Sequence, residues 1–231
     1  MTDDEDIRGT DVSLMRPQVT ADAERYADTY TTPPSEAVAA LLDETQVATP
    51  FPVMAGGIKE ARLLHALMWA MDARSVLEVG TFTGATALAI AEALPSDGRI
   101  TTVEVDESVA SIARRHFEAS PHGSKIDLRL GDAREILGTL DGPFDLIFID
   151  ALKQQYVDYY EAILPKLSER GLIAVDNVVW YGLPFNPAAT DPETEGVRAF
   201  VEHVRSDERV RQVILTVGDG VMLIWTDRTT A

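Results

Sequence analysis

The sequence predicts an α/β protein built on a doubly wound, mostly parallel sheet. Two patterns carry that expectation. Five short β-branched or aliphatic runs, SVLEVG, ITTVEV, IDLRL, FDLIFID and GLIAVD, alternate with helical segments from Arg74 onward. Near-continuous apolar strands between amphipathic helices imply a parallel sheet covered on both faces. Two further runs, VRQVILTV and GVMLIW, are joined only by Gly218-Asp219-Gly220, and strands so closely connected must run antiparallel. A Rossmann-like sheet closed by a C-terminal antiparallel hairpin follows.

The elements are justified in chain order. Residues 1–16 are charged, polar and aperiodic, the mark of a frayed terminus. Residues 17–231 read as a single domain, with a helical cover over 17–73 and the α/β core over 74–231. In the cover, two helical stretches fill residues 20–48 on either side of Thr32-Pro33-Pro34, the second with Ser35 as N-cap. A third, IKEARLLHALMWAMDA, spaces Leu63, Leu64, Leu67, Met68 and Met71 as one apolar face. The core helices are ATALAIAEAL, ESVASIARRHFEA, AREILGTL and QQYVDYYEAILPKLSE. A loop over residues 180–190 precedes one more helix and the hairpin. Ligands of such sheets sit beyond the carboxyl ends of the strands, and the unusual residues fall there.

Composition limits the function. The chain has 231 residues, 45% hydrophobic and 25% charged, an ordinary globular balance with length for one large domain. Acidic residues number 38 against 20 basic ones, a formal net charge of -18. That excess disfavours nucleic acid, whose binding draws on clustered Lys and Arg. Cysteine is absent, which excludes disulfides, thiolate metal sites and a cysteine nucleophile. No apolar run approaches the ~20 residues of a membrane helix, and MTDDEDIRGTD is acidic where a signal peptide would be basic. No membrane partner and a cytoplasmic setting are expected. His65, His116, His122 and His203 show no zinc-ligand spacing and read as structural or solvated.

The strand ends carry the candidate chemistry. The first strand ends in Glu78-Val79-Gly80, followed by Thr81-Phe82-Thr83-Gly84. Two glycines there let backbone approach a ligand at a helix N-terminus, although any tight strand-to-helix turn also favours glycine. The G-x-x-x-G spacing differs from the G-x-G-x-x-G of a pyrophosphate cradle, so a ligand without phosphates fits better. Glu104, ending the second strand, is either a carboxylate for two ribose hydroxyls or a solvated surface acid. Asp132, ending the third, either caps the next helix or takes an adenine amino group. The fourth strand ends in Asp150, with Lys153 three residues on, and the fifth in Asp176-Asn177. Two carboxylates and an amide oxygen leave room for waters and substrate oxygens, as Mg²⁺ prefers. Lys153 is one of only four lysines in a chain that otherwise uses Arg, and ammonium exchanges protons where guanidinium does not.

With these residues in place, a resemblance is apparent. VLEVGTFTGATALAIAEALPSDGRITTVEVDE, GDAREIL, FDLIFIDALKQQYVDYYE, GLIAVDNVVWYG and VILTVGDGVMLI resemble the cation-dependent O-methyltransferases, a family that includes the caffeoyl-coenzyme A and catechol enzymes. The likeness runs from Tyr26 to Trp225. It implies that S-adenosylmethionine (SAM) is held by Met54, Glu78, Gly80, Phe82, Thr86, Glu104, Asp132, Ala133 and Asp150. It implies Asp150, Asp176 and Asn177 as ligands of Mg²⁺ or a similar divalent cation, Lys153 with Asp150 as the catalytic pair, and Lys153 and Trp180 against an aromatic small molecule. A homodimer is also implied. Three departures bear on substrate: Ala85 stands where the family usually has tyrosine, Leu152 replaces the acid of the common ADK string, and Gly56-Gly57-Ile58-Lys59-Glu60 differs from the usual proline- and glutamine-bearing segment.

The implied chemistry is methyl transfer to a catechol-like hydroxyl. A phenol has a pKa of about 10, and chelation of two neighbouring oxygens by a cation lowers it. Lys153 then accepts the proton or holds the phenolate. Two alternatives are an NAD-dependent oxidoreductase, opposed by the glycine spacing, and a non-catalytic SAM-binding protein, opposed by the intact Lys153 and ligand set. A methyltransferase acting on RNA is disfavoured by the charge.

Overall fold

The computed structural model describes residues 21–227; the frayed terminus expected over 1–16 lies outside them. The chain divides into two compact units at Thr32 and Pro33. In the first, α1 (Ala21–Tyr30) is described, with Tyr26 and Tyr30 ring centroids 4.5 Å apart one turn from each other.

The second unit holds the sheet. Its strands are β1 (Ser75–Val79), β2 (Arg99–Glu104), β3 (Ile126–Leu130), β4 (Phe144–Ile149), β5 (Leu167–Val175), β6 (Val210–Leu215) and β7 (Val221–Thr226). They lie in the order β3-β2-β1-β4-β5-β7-β6. The first five are mutually parallel, and β7 runs antiparallel to both β5 and β6. The hairpin therefore turns back into the sheet, and its turn lies beside the carboxyl end of β5, where Val175 pairs with Met222.

The period of two along each strand sorts side chains onto two faces. Val76, Leu146, Phe148, Ala174 and Leu223 meet α2 (Glu36–Ala48), α3 (Ile58–Met71), α4 (Ala85–Ala93) and α5 (Glu107–Ala119). Leu77, Val79, Ile147, Ile149, Val175 and Met222 meet α6 (Ala133–Thr139), α7 (Tyr156–Ile163) and α8 (Pro192–Arg205). The helices α2 and α3 are thus part of one covering layer, through Leu41, Leu64 and Met68. Ser35 caps α2 by accepting the Val38 N–H at 3.2 Å, as its sequence position predicts. Full burial of each such aliphatic side chain contributes about 1.5–3 kcal/mol.

One boundary differs from expectation. The helix expected through Glu169 ends at Ile163, passes through a 3₁₀ turn over Leu164–Lys166, and β5 begins at Leu167. Pro165 has no N–H to continue the helix, and Leu167 pairs with Phe144 instead. Among the described residues, no helix is long and apolar enough to cross a membrane.

Candidate active site

Five loops follow the carboxyl ends of the parallel strands, and each brings a residue singled out above. After β1 the chain turns through Gly80 (φ +102°), Phe82 (φ 49°) and Gly84 (φ +94°). A Cβ on Gly80 would collide with the Asp150 carbonyl, so the ends of β1 and β4 approach as closely as they do only with glycine there. Glu78 is fully buried on the α4 face of β1. Its Oε2 accepts the Thr102 hydroxyl, which also meets Thr81 Oγ1 at 2.5 Å, while Oε1 has no partner. Burial pushes this carboxyl up to about 8, against the Thr102 bond and with Asp150 and Glu104 adding to the rise.

Glu104 is bound rather than free. Its Oε2 accepts Phe82 N–H at 2.7 Å, and its Oε1 accepts Val105 N–H at 2.8 Å and Asp106 N–H at 2.9 Å. A carboxylate offers about four acceptor positions, so it ties the β1 and β2 loops together and keeps capacity for roughly one more donor. Asp132 takes the capping role at α6, accepting Arg134 N–H at 2.8 Å, and it pairs with the Arg134 guanidinium at 2.7 Å. Those bonds hold its carboxyl below the usual range. Glu104 and Asp132 are brought together through the Gly131 N–H, which donates to the Glu104 carbonyl at 2.8 Å. Ala133 opens α6 behind them. Met54 ends an exposed 3₁₀ turn. Thr86 lines a cavity of about 30 Å³ with Ala85, Gly56, Ser35, Arg62 and Glu92, room for about one water.

The other half of the site lies at β4 and β5. Asp150 N–H donates to the Val79 carbonyl and Asp176 N–H to the Ile149 carbonyl, each at 2.9 Å, so both acids sit on adjoining strand ends. Lys153 Nζ, nine-tenths buried, donates to Asp150 Oδ1 at 2.9 Å. It lies 5.3 Å from the ring centroids of both Tyr156 and Trp180, within cation–π range. Asp176 is buried, and burial together with the Asp150 charge pushes its carboxyl up to about 7. Asn177 adopts φ 60°, a left-handed conformation that Asn tolerates. Trp180 (φ 43°) and Tyr181 (φ 54°) share it, which is uncommon for aromatic residues and concentrates backbone strain at this loop.

Two acids here were not singled out by the sequence. Glu60, in the first turn of α3, is nearly buried and raises the Asp176 carboxyl electrostatically. Asp219, in the hairpin turn, accepts Tyr181 N–H at 2.7 Å through Oδ1. Gly218-Asp219-Gly220 reads locally as an ordinary turn, and nothing in it signals that β7 inserts beside β5. Among the described residues, no group of three His, Cys, Asp or Glu forms a metal cluster. His116 pairs with Glu44 and His203 with Glu161, at 2.9 and 2.7 Å.

The glycine cradle and unpartnered Glu78 oxygen fit a cofactor bearing an ammonium group and no phosphates. With the sheet order, they suit a SAM-dependent methyltransferase. Residues 28–226 match the O-methyltransferase family, and the chain belongs to it. It is 32% identical to caffeoyl-CoA O-methyltransferase of Petroselinum crispum over 79% of this chain and 80% of that one. It is 34% identical to catechol O-methyltransferase of Niastella koreensis over 71% and 76%. Among solved structures, the O-methyltransferase TomG of Streptomyces achromogenes, in complex with SAM, superposes with a TM-score of 0.80 at 30% identity, covering 89% of this chain and 96% of that one. The Bacillus cereus O-methyltransferase bound to SAH gives 0.81 at 29%, covering 89% and 97%. The chain is a SAM-dependent O-methyltransferase, and these comparisons lend no support to a dehydrogenase or a non-catalytic protein.

Proposed function

We propose that this enzyme methylates one hydroxyl of an ortho-dihydroxy aromatic, with Mg²⁺ or a similar divalent cation held by Asp150, Asp176 and Asn177. The observation that carries the reading is the buried Asp176 carboxyl on a strand end adjoining that of Asp150, with an asparagine next in the chain and a nearly buried lysine bound to Asp150. Two acids confined so closely are relieved by a cation, and this donor set suits one that keeps waters and substrate oxygens. When bound, the cation supplies Lewis acidity to a chelated pair of oxygens and SAM supplies the methyl group.

The chain's own residues do the rest. Glu78 and Glu104 fix the cofactor by its ammonium and ribose, with Gly80, Phe82, Thr86, Asp132, Ala133 and Met54 around it. Lys153, which donates to Asp150, holds the phenolate as an ammonium or, as a neutral amine, takes up the hydroxyl proton. Trp180 forms an aromatic wall that aligns the ring, and alignment supplies much of the remaining rate. The substrate we favour is a compact catechol without phosphate groups. A single domain over residues 17–231, a cytoplasmic setting and a homodimer belong to the same proposal. For the dimer, the exposed Val213 and Ile214 on edge strand β6 offer support.

The test is metal removal. Turnover of an ortho-dihydroxy aromatic should vanish in EDTA and return with Mg²⁺, and monohydroxy analogues should be poor substrates throughout. Full turnover in metal-free buffer would overturn the metal assignment.

A further inference from the structure

The hairpin turn between β6 and β7 clasps the loop that carries Asn177. Val179 N–H donates to the Asp219 carbonyl at 2.9 Å and Val178 N–H to the Gly220 carbonyl at 3.0 Å. Tyr181 N–H donates to Asp219 Oδ1 at 2.7 Å. Gly220 (φ +89°) lies so close under Val179 that a Cβ would collide with it, and Gly218 (φ +54°) lies equally close to the Glu60 carboxylate. The turn is thus wedged between α3 and the 177–181 loop. What it restrains is strained: Asn177, Trp180 and Tyr181 are all left-handed, and such conformations persist only where the surroundings over-determine them. The second carboxylate oxygen, Asp219 Oδ2, is buried and has no hydrogen-bond partner. Burial raises the Asp219 carboxyl, while the Tyr181 N–H, the Lys153 charge and the Asn177 side chain lower it.

We infer that Asp219 is a positioning residue for the cation: when the cation is held, the open Oδ2 takes the Asn177 side-chain N–H and so turns the Asn177 amide oxygen toward the metal. An asparagine amide has a donor end and an acceptor end, and only the acceptor end serves a cation. A neighbouring acid that can only accept selects the useful orientation, much as carboxylates orient metal-bound imidazoles. Oδ1 meanwhile fixes Tyr181 and, through it, the adjoining Trp180. The inference rests on the proposed metal site, and its test separates the two.

The experiment is a titration of metal-free protein with Mn²⁺ by calorimetry, for wild type, Asp219→Asn and Asp219→Ala, with SAM affinity and melting temperature measured in parallel. Asp219→Asn keeps an acceptor for Tyr181 and places an N–H opposite the Asn177 amide. Its Kd for Mn²⁺ should rise about 10- to 100-fold, with SAM affinity in metal-free buffer and melting temperature close to wild type. Asp219→Ala should match that loss and also lower kcat, because Tyr181 and Trp180 are released. Unchanged Mn²⁺ affinity in Asp219→Asn overturns the inference. So does a fall in SAM affinity and melting temperature in step with the metal, which marks a merely structural turn. Wild-type protein that binds no Mn²⁺ removes the metal site itself, and the role of Asp219 with it.

Discussion

Lys153 donates to Asp150 while lying over two aromatic rings, so its charge is held in place, and the proposed reaction sets a phenolate beside it. Lys153→Met keeps the stem and removes the charge. The loss should fall on kcat, by ~10²–10⁴, with little change in SAM affinity. Lys153→Arg should also be poor, because guanidinium does not give up its proton; wild-type turnover in both variants would rule the role out. Glu78 invites a test of a different kind. Its folded carboxyl, at about 8, lies above the ordinary value of 4.5. The unfolded chain therefore ionises first, and this group costs the ligand-free protein increasing stability as pH rises from about 4.5 to 8. Glu78→Gln keeps an acceptor for Thr102 and removes that cost. Its melting temperature should rise relative to wild type progressively from pH 5 to pH 8, while SAM binds more weakly; a difference flat with pH would refute the assignment. Lys153, Asp150, Asp176 and Asn177 were legible in sequence because each ends a strand or follows one, where the fold class alone predicts chemistry. The bonds of Glu104 to Phe82, Val105 and Asp106, and the place of Asp219, were not. They depend on which loops meet across the sheet.

At the scale of elements, two glycines of opposite character make a paired test. Gly80→Ala forces a Cβ against the Asp150 carbonyl in a conformation that side chains rarely adopt. The backbone alone should cost roughly 1–3 kcal/mol, and separation of β1 from β4 should weaken SAM and metal binding together. At Gly138, inside α6, a Cβ would meet nothing within 4 Å. Gly138→Ala should instead stabilise the protein by about 0.5–1 kcal/mol through helix propensity, with activity unchanged. Melting curves of the two variants decide both, and equal effects would contradict the close approach at Gly80. The strands were readable as near-continuous apolar runs, because both faces are covered: Val76, Leu146 and Ala174 meet one layer while Leu77, Ile147 and Val175 meet the other. The start of β5 was not. LPKLSE continues the polarity pattern of α7, and only the missing N–H of Pro165, with the pairing of Leu167 to Phe144, ends the helix early.

Across the whole molecule, charge should select the substrate. The chain carries a formal net charge of -18, and the cations described near the carboxyl strand ends are committed. Lys153 holds Asp150, Arg134 holds Asp132, and Arg198 donates to the carbonyls of Leu183, Pro184, Asn186 and Ala189 as well as to Glu195. Lys125 and Lys166 are bound to main-chain carbonyls just before β3 and β5, at the opposite end of the sheet. The exposed groups following β4 and β5 include Leu152, Tyr181 and Phe185, which suit an uncharged ring. A coenzyme A thioester brings several phosphate charges to this surface and should be repelled during approach, whereas SAM, a cation at sulfur, should be drawn in. A free catechol should therefore exceed the thioester of a catechol acid in kcat/KM, by an order of magnitude or so at low ionic strength. Repulsion between exposed charges is screened within about 10 Å at 0.1 M salt, so added KCl should narrow the gap by raising the thioester rate more than the catechol rate. Measuring both substrates from 10 to 300 mM KCl at fixed Mg²⁺ separates field from fit. A gap that ignores salt assigns the preference to the shape of the site, and a thioester preferred at low salt would overturn the charge argument altogether.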